Sequence, residues 1–90
     1  MNYSKIFAQN VRRIRLAKDY SQDELAEQSG LTRNYIGNIE RQENSPSLQS
    51  MEAIADALGV SLLELLALRP EITRLRNARR GYLYALKLVF

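Results

Sequence analysis

The chain has 90 residues, 46% of them apolar, with a formal net charge of +3 and neither cysteine nor histidine. This length fits one domain around a single core. The missing residue types exclude disulfides and thiolate zinc sites, and they remove the most common catalytic base. The apolar runs are short and broken by charges, and the first residues lack the apolar stretch of a signal peptide. We therefore expect a cytoplasmic protein with no membrane segment, no catalytic residues, no metal and no cofactor.

The charge is distributed unevenly along the chain. Residues 1–68 carry seven basic and nine acidic side chains, a net charge of −2. Residues 69–90 carry six basic side chains against Glu71 alone, a net charge of +5. Because the positive excess belongs to the C-terminal segment, bulk charge is no argument that the rest of the chain binds nucleic acid. That argument depends on where individual arginines point.

The N-terminal half of the chain predicts three helices. The first, over residues 4–18, has apolar side chains at helical spacing. The second begins at Ser21, which has capping-box spacing with Glu24. Gly30 lies where the chain leaves this helix, at a position that favours positive φ. Thr32 is then placed to cap the third helix, so residues 21–42 predict two short helices joined by a turn.

The outward positions of the third helix carry groups that hydrogen-bond with base edges and phosphates, namely Arg33, Asn34, Tyr35, Asn38 and Arg41. Arginine can form two hydrogen bonds with guanine, and asparagine can do so with adenine. A helix-turn-helix that binds the major groove of DNA needs this layout. Alternatives stay open, in which Arg33 and Asn34 are ordinary solvated residues and Tyr35 packs against the second helix.

Two further helices are predicted after a loop. Ser47 is placed to cap the fourth, which Gly59 ends, and Ser61 is placed to cap a fifth over residues 62–68. We predict an all-α fold, in which residues 1–69 form a five-helix helix-turn-helix domain. Residues 70–90 are predicted to be a C-terminal extension that serves dimerisation and begins at the helix-compatible Pro70.

The chain from about residue 7 to residue 66 resembles the helix-turn-helix family of the phage Cro and cI repressors, the XRE or lambda-repressor-like family. Short motifs in the family's order carry the resemblance: Ser21-Gln22, Gly30-Leu31-Thr32, Tyr35-Ile36, Ile39-Glu40-Arg41, Pro46-Ser47-Leu48 and Ala57-Leu58-Gly59-Val60. The resemblance implies a lambda-repressor-like domain that binds double-stranded DNA.

The resemblance also implies roles for individual side chains. Gln22 and Arg41 are expected to contact backbone phosphates, while Arg33 and Asn34, with Asn38 a turn later, are expected to read bases. The complete predicted DNA-binding set is Gln22, Thr32, Arg33, Asn34, Tyr35, Asn38, Arg41 and Asn44.

The family pattern has two further consequences. It implies an ion pair between the first and third helices, here Arg15 with Glu40. The loop after the third helix often has glycine where this chain has Gln42. This departure from the family pattern affects the expected geometry of the phosphate contacts made by the loop, and it leaves the expected fold unchanged.

The fifth helix has more leucines than packing on one side requires, which indicates an interface. Residues 82–90 are apolar except for Lys87, and they would aggregate if exposed. Their composition leaves helix and strand open. We predict that they are buried in a homodimer, with folding back onto their own domain as the alternative. The predicted dimer-interface residues are Leu62, Leu63, Leu66, Leu75, Tyr82 and Leu86.

These observations predict a transcriptional regulator that binds a palindromic operator as a homodimer, of the repressor or restriction–modification controller type. One alternative is an antitoxin of a toxin–antitoxin pair, whose basic C-terminal extension binds a protein partner. Another is a protein-interaction adaptor that kept the fold.

Overall fold

Five helices form the part of the chain that the computed structural model describes, residues 1–68. They are α1 (Tyr3–Ala17), α2 (Gln22–Ser29), α3 (Arg33–Glu40), α4 (Leu48–Leu58) and α5 (Leu62–Leu65). The predicted all-α, five-helix architecture is confirmed for this part. The C-terminal extension, including Leu75, Tyr82 and Leu86, lies outside the described residues. Within residues 1–68, no helix combines the length and hydropathy needed to cross a bilayer.

Each helix begins at a polar side chain that accepts a hydrogen bond from a backbone N–H of the first turn. The capping residues are Asn2, Ser21, Thr32, Ser47 and Ser61. The four caps predicted for α2 to α5 are therefore confirmed. The predicted start of α1 was late by one residue, because the Asn2 side chain accepts from the Lys5 N–H.

A residue with a left-handed backbone conformation lies at the end of each of the first four helices. Two of them, Gly30 (φ 75°) and Gly59 (φ 72°), are the glycines that the sequence predicted at these places. The other two are Asp19 (φ 63°) and Gln42 (φ 65°), which carry side chains in a conformation that favours glycine. After α3, the Gln42 N–H donates to the Ile39 carbonyl and the Glu43 N–H to the Asn38 carbonyl, which is a Schellman turn.

One apolar core joins all five helices. Phe7 and Val11 come from α1, and both are almost completely buried. The other large, fully buried side chains of this core are Leu25, Ile36, Ile39, Ile54, Leu58 and Leu65. Because α2 and α3 contribute Leu25, Ile36 and Ile39 to the same core, the two helices pack against each other, with α2 also against α4 and α3 also against α1.

An ion pair inside the domain connects α1 to α3. The Arg15 Nε donates to Glu40 Oε2 at 2.7 Å and its Nη2 to Oε1 at 2.9 Å. The Arg15 Nη1 also donates to the Tyr20 carbonyl at 2.8 Å, beyond the end of α1. The two side chains are only 9% and 3% exposed. The ion pair that the family resemblance implied is therefore confirmed, as a bidentate and buried one.

The buried side chain of Asn10 fixes the end of α5. Its Nδ2 donates to the carbonyls of Leu65 and Ala67, both at 2.9 Å, and its Oδ1 accepts from Arg13 Nη2 at 3.2 Å. α5 therefore ends at Leu65, and the predicted extension of this helix to residue 68 was wrong. The reason is that Asn10 supplies donors to these carbonyls in place of a continued helix.

The buried ion pair leads to a prediction about stability. Glu40→Ala should lower the free energy of unfolding by about 3–5 kcal/mol, because it leaves the Arg15 guanidinium buried without its counter-charge. Glu43→Ala is the matched control, since Glu43 forms an exposed pair with Arg41 and its loss should cost less than about 1 kcal/mol. Urea unfolding measures both. Equal costs for the two variants would contradict this account.

The strained turn after α3 leads to a second prediction. Gln42→Gly should raise the free energy of unfolding by about 0.5–1 kcal/mol, because relief of the left-handed strain exceeds the added entropy of glycine in the unfolded chain. Gln28→Gly, at an exposed position within α2, should instead lower it by about 0.5–1 kcal/mol. Thermal unfolding of both variants gives the sign of each change in the free energy of unfolding. A loss of stability in Gln42→Gly would rule out strain at this turn.

Candidate nucleic-acid interface

The polar side of α3 is exposed because the opposite side is held in the core. Ile36 and Ile39 are buried, whereas Arg33 and Asn34 in the first turn face solvent. The Thr32 Oγ1 accepts from the Tyr35 N–H at 3.0 Å and thereby satisfies a donor of that turn. The sequence prediction that Arg33 and Asn34 lie on an outward surface is confirmed.

Arg33 lies beside an acidic side chain of α2. Its Nε is 3.3 Å from Asp23 Oδ1, and the two side chains are 64% and 75% exposed. An ion pair this exposed contributes about 0–1 kcal/mol. The guanidinium is therefore oriented by Asp23 but can exchange this partner for another acceptor at little cost.

Arg41, at the end of α3, is held by two neighbours. Its Nη2 donates to Asn38 Oδ1 at 2.5 Å, and its Nε donates to Glu43 Oε2 at 3.2 Å. The Schellman turn at Gln42 brings Glu43 to this place. Arg41 and Asn38 thus form one hydrogen-bonded unit, a coupling that the sequence analysis did not predict.

The side chains of Gln22 and Arg41 both lie next to a glycine of α3. Gly37 is buried within α3, and a Cβ at this position would lie 3.0 Å from Arg41 Nη1 and 3.6 Å from Gln22 Oε1. The Gln22 Nε2 also donates to Glu40 Oε1 at 3.1 Å. The absence of a side chain at Gly37 therefore lets two predicted site residues from different helices approach each other.

Gly37 was missed by the sequence analysis, although a glycine inside a helical pattern is a recognisable signal of close packing. Asn10 was also missed. It lies three residues after Phe7, on the side of α1 that faces the core, where a polar residue needs an internal partner.

The remaining predicted site residues differ in how far they are exposed to solvent. Tyr35 is half-buried and packs against the core, so its prediction as an outward residue was wrong in part, and the packing alternative describes it better. Tyr35 is four residues before the buried Ile39, a spacing that places the two side chains on the same side of a helix. Asn44 is exposed in the loop after α3.

No cluster of three metal-binding side chains occurs in residues 1–68.

The described surface along α3 therefore presents the exposed side chains of Arg33, Asn34 and Arg41. Asn38, predicted as an outward residue, is half-buried and hydrogen-bonded to Arg41, so that prediction is confirmed only in part. Two carboxylates, those of Asp23 and Glu43, partly neutralise the arginines. Arginine and asparagine offer the donor and acceptor groups that match base edges, and arginine and glutamine those that match phosphates.

Comparison with known proteins agrees with this geometry. The helix-turn-helix family model matches residues 11–65. The control protein C.SmaI of Serratia marcescens is 44% identical over 73% of this chain and 79% of its own length. The immunity repressor of Bacillus phage phi105 is 41% identical over 60% of this chain but only 38% of its own.

Solved structures with the same fold include a hypothetical transcription factor from Neisseria, at a TM-score of 0.76 and 38% identity, covering 82% of this chain and 85% of that one. The restriction–modification controller protein C.AhdI of Aeromonas hydrophila has a TM-score of 0.67 and 40% identity, covering 69% of this chain and 94% of that one. This chain therefore belongs to the XRE-type helix-turn-helix family of DNA-binding transcriptional regulators.

Proposed function

We propose that this protein is a homodimeric regulator of the restriction–modification controller type, which binds a palindromic operator through α3. The observation that carries the proposal is the side of α3 turned away from the core, where Arg33 and Asn34 are exposed in the first turn and the exposed Arg41 caps the end beside the half-buried Asn38. The first turn of such a helix can enter the major groove and reach base edges.

Base reading falls mainly on Arg33 and Asn34. On binding, the Arg33 guanidinium leaves Asp23 and forms hydrogen bonds with guanine. The free energies of the two contacts favour this exchange. The exposed ion pair contributes about 0–1 kcal/mol, whereas a bidentate contact discriminates between bases by about 1–3 kcal/mol. Asn34 is exposed beside it and is free of the hydrogen bond that occupies Asn38.

Phosphate binding falls on Gln22 and Arg41, which converge over Gly37. Gln22 is the first residue of α2, where the backbone N–H groups and the helix dipole favour an anion. Asn38 Oδ1 accepts from Arg41, so Asn38 orients this guanidinium unless it is released to read adenine. Thr32, Tyr35 and Asn44 are assigned to the edge of the same surface.

Dimerisation supplies the specificity that one helix-turn-helix lacks. A single motif reads only a few base pairs, and a two-fold dimer reads two half-sites about 34 Å apart. Leu63 on α5 is 79% exposed, which suits an interface. Leu62 and Leu66 are half-buried and also pack against their own core, so their outer surfaces are what a partner can contact.

Similarity to control proteins supports the controller type. The control proteins C.SmaI and C.BamHI are 44% and 46% identical over 73% and 72% of this chain, and the C.AhdI structure is 40% identical over 69% of it. The proposed role is therefore occupancy of an operator near a promoter. The recovered operator, placed beside a reporter promoter, would give the direction of regulation.

Selection from a random pool of double-stranded DNA at near-physiological salt tests the proposal. We expect a palindrome, and Arg33→Ala should reduce affinity for it by about 5- to 150-fold, the equivalent of 1–3 kcal/mol. Arg33→Lys is the matched control. It keeps the charge and hence the salt dependence, but it loses the two-pronged contact and should relax base preference at one position.

Either of two results would contradict the proposal. One is the recovery of no preferred sequence by the intact protein. The other is a palindrome whose affinity is unchanged in Arg33→Ala.

The convergence at Gly37 leads to a further prediction. Gly37→Ala should leave the free energy of unfolding unchanged or raise it by up to about 1 kcal/mol, because alanine favours helix and the tip of Arg41 can move aside. DNA affinity should nevertheless fall, and the salt slope should decrease by about one, because the displaced Arg41 loses its phosphate.

A double-mutant cycle checks this mechanism. In an Arg41→Ala background, Gly37→Ala should have no further effect on affinity. Gln28→Ala, at an exposed position of α2, serves as a control for helix propensity and should leave DNA binding unchanged. If Gly37→Ala weakens binding equally with and without Arg41, another contact is responsible.

A further inference from the structure

An apolar groove of about 590 Å³ runs between the start of α1, the loop before α4, and α5. Its apolar lining includes Tyr3, Phe7, Pro46, Met51, Leu63 and Leu66. No residue of α2 or α3 lines it, so the groove is separate from the proposed DNA-binding surface. Leu63 and Tyr3 are 79% and 57% exposed, which leaves much of this apolar surface in contact with water.

The chemistry of the lining selects an apolar occupant. None of the side chains that line the groove carries a charge. Its volume is within the range of about 300–1,000 Å³ that holds ligands of several apolar groups. The sequence contains a segment of matching character, since residues 82–90 are apolar except for Lys87.

We propose that the groove receives residues 82–90 of a second copy of this chain, an inference that rests on the homodimer proposed above. Each groove of the dimer is then filled by the C-terminal segment of the other copy. Exchange of identical segments around a two-fold axis gives both copies the same contacts.

The place where the chain leaves the groove supports this assignment. Leu66 and Ala67 line the groove, and the chain continues from Leu68 into residues 69–81. A two-fold dimer built on α5 therefore places the start of this connecting stretch at the interface, next to the other copy. Thirteen residues can span up to about 45 Å when extended and about 20 Å as a helix, so either form reaches a neighbouring groove.

The area required by a stable dimer favours a second copy over the chain's own segment. Specific interfaces bury about 800 Å² per partner. α5 has four residues, and Leu62 and Leu66 are already half-buried against their own core. α5 alone is therefore too small, whereas an exchanged nine-residue apolar segment at each groove enlarges the interface substantially.

Disulfide trapping tests the exchange, because the chain has no native cysteine. Leu63→Cys in a chain with a size tag and Leu86→Cys in an untagged chain are co-expressed and mildly oxidised. We expect a covalent species whose mass is the sum of the two chains. Such a bond requires the two Cα atoms to approach within about 4.4–6.8 Å. Glu27→Cys, exposed on α2, replaces Leu63→Cys in the control and should give no such species.

Other outcomes overturn the inference in distinguishable ways. If the chain carrying both Leu63→Cys and Leu86→Cys forms an internal disulfide and stays monomeric, the groove holds its own chain's segment. A second outcome is that the intact protein is dimeric by light scattering and binds a palindrome, but no combination of these variants forms a disulfide between positions 63 and 86. In that case the groove assignment fails and the proposed function stands. A monomer that selects no palindrome overturns both.

Discussion

The carboxylate of Glu40 is the point at which the first three helices are joined. It accepts hydrogen bonds from Arg15 of α1 and from Gln22 of α2, and it belongs to the last turn of α3. Its side chain is only 3% exposed, so its charge is tolerated only because these donors surround it. Together with the core contacts of Ile36 and Ile39, this group sets the orientation of α3 and with it the direction of Arg33 and Asn34.

The charged contacts of the domain fall into two classes with different functions. The buried pair of Arg15 and Glu40 is expensive to break and holds the helices in place. The exposed pairs of Arg33 with Asp23 and Arg41 with Glu43 contribute little and are easily exchanged. Under the proposed function, the first class makes the surface rigid and the second keeps its arginines oriented before DNA arrives.

The apolar side chains can likewise be divided into a buried set and an exposed set. The buried side chains of all five helices form one closed core. Leu63 and the groove beside it remain in contact with water, as the proposed dimer requires. Asn10 connects the two regions, since it ties the carbonyls at the end of α5 to α1 and so sets where the chain departs toward the C-terminal segment.

The sequence by itself determined the elements whose causes are local. Capping side chains at Ser21, Thr32, Ser47 and Ser61, and glycines at Gly30 and Gly59, act within a few residues, so they located the helices correctly. Helical spacing of apolar residues likewise predicted which sides face the core and that Arg33 and Asn34 face outward.

Only the tertiary structure decided the features that join residues distant in sequence. The short α5 depends on Asn10, more than fifty residues earlier. The convergence of Gln22 and Arg41 depends on the missing side chain at Gly37, and the left-handed Gln42 is held by the packed end of α3. Hydrogen bonds and steric gaps between helices have no periodic signature in the sequence, because they depend on how the helices pack.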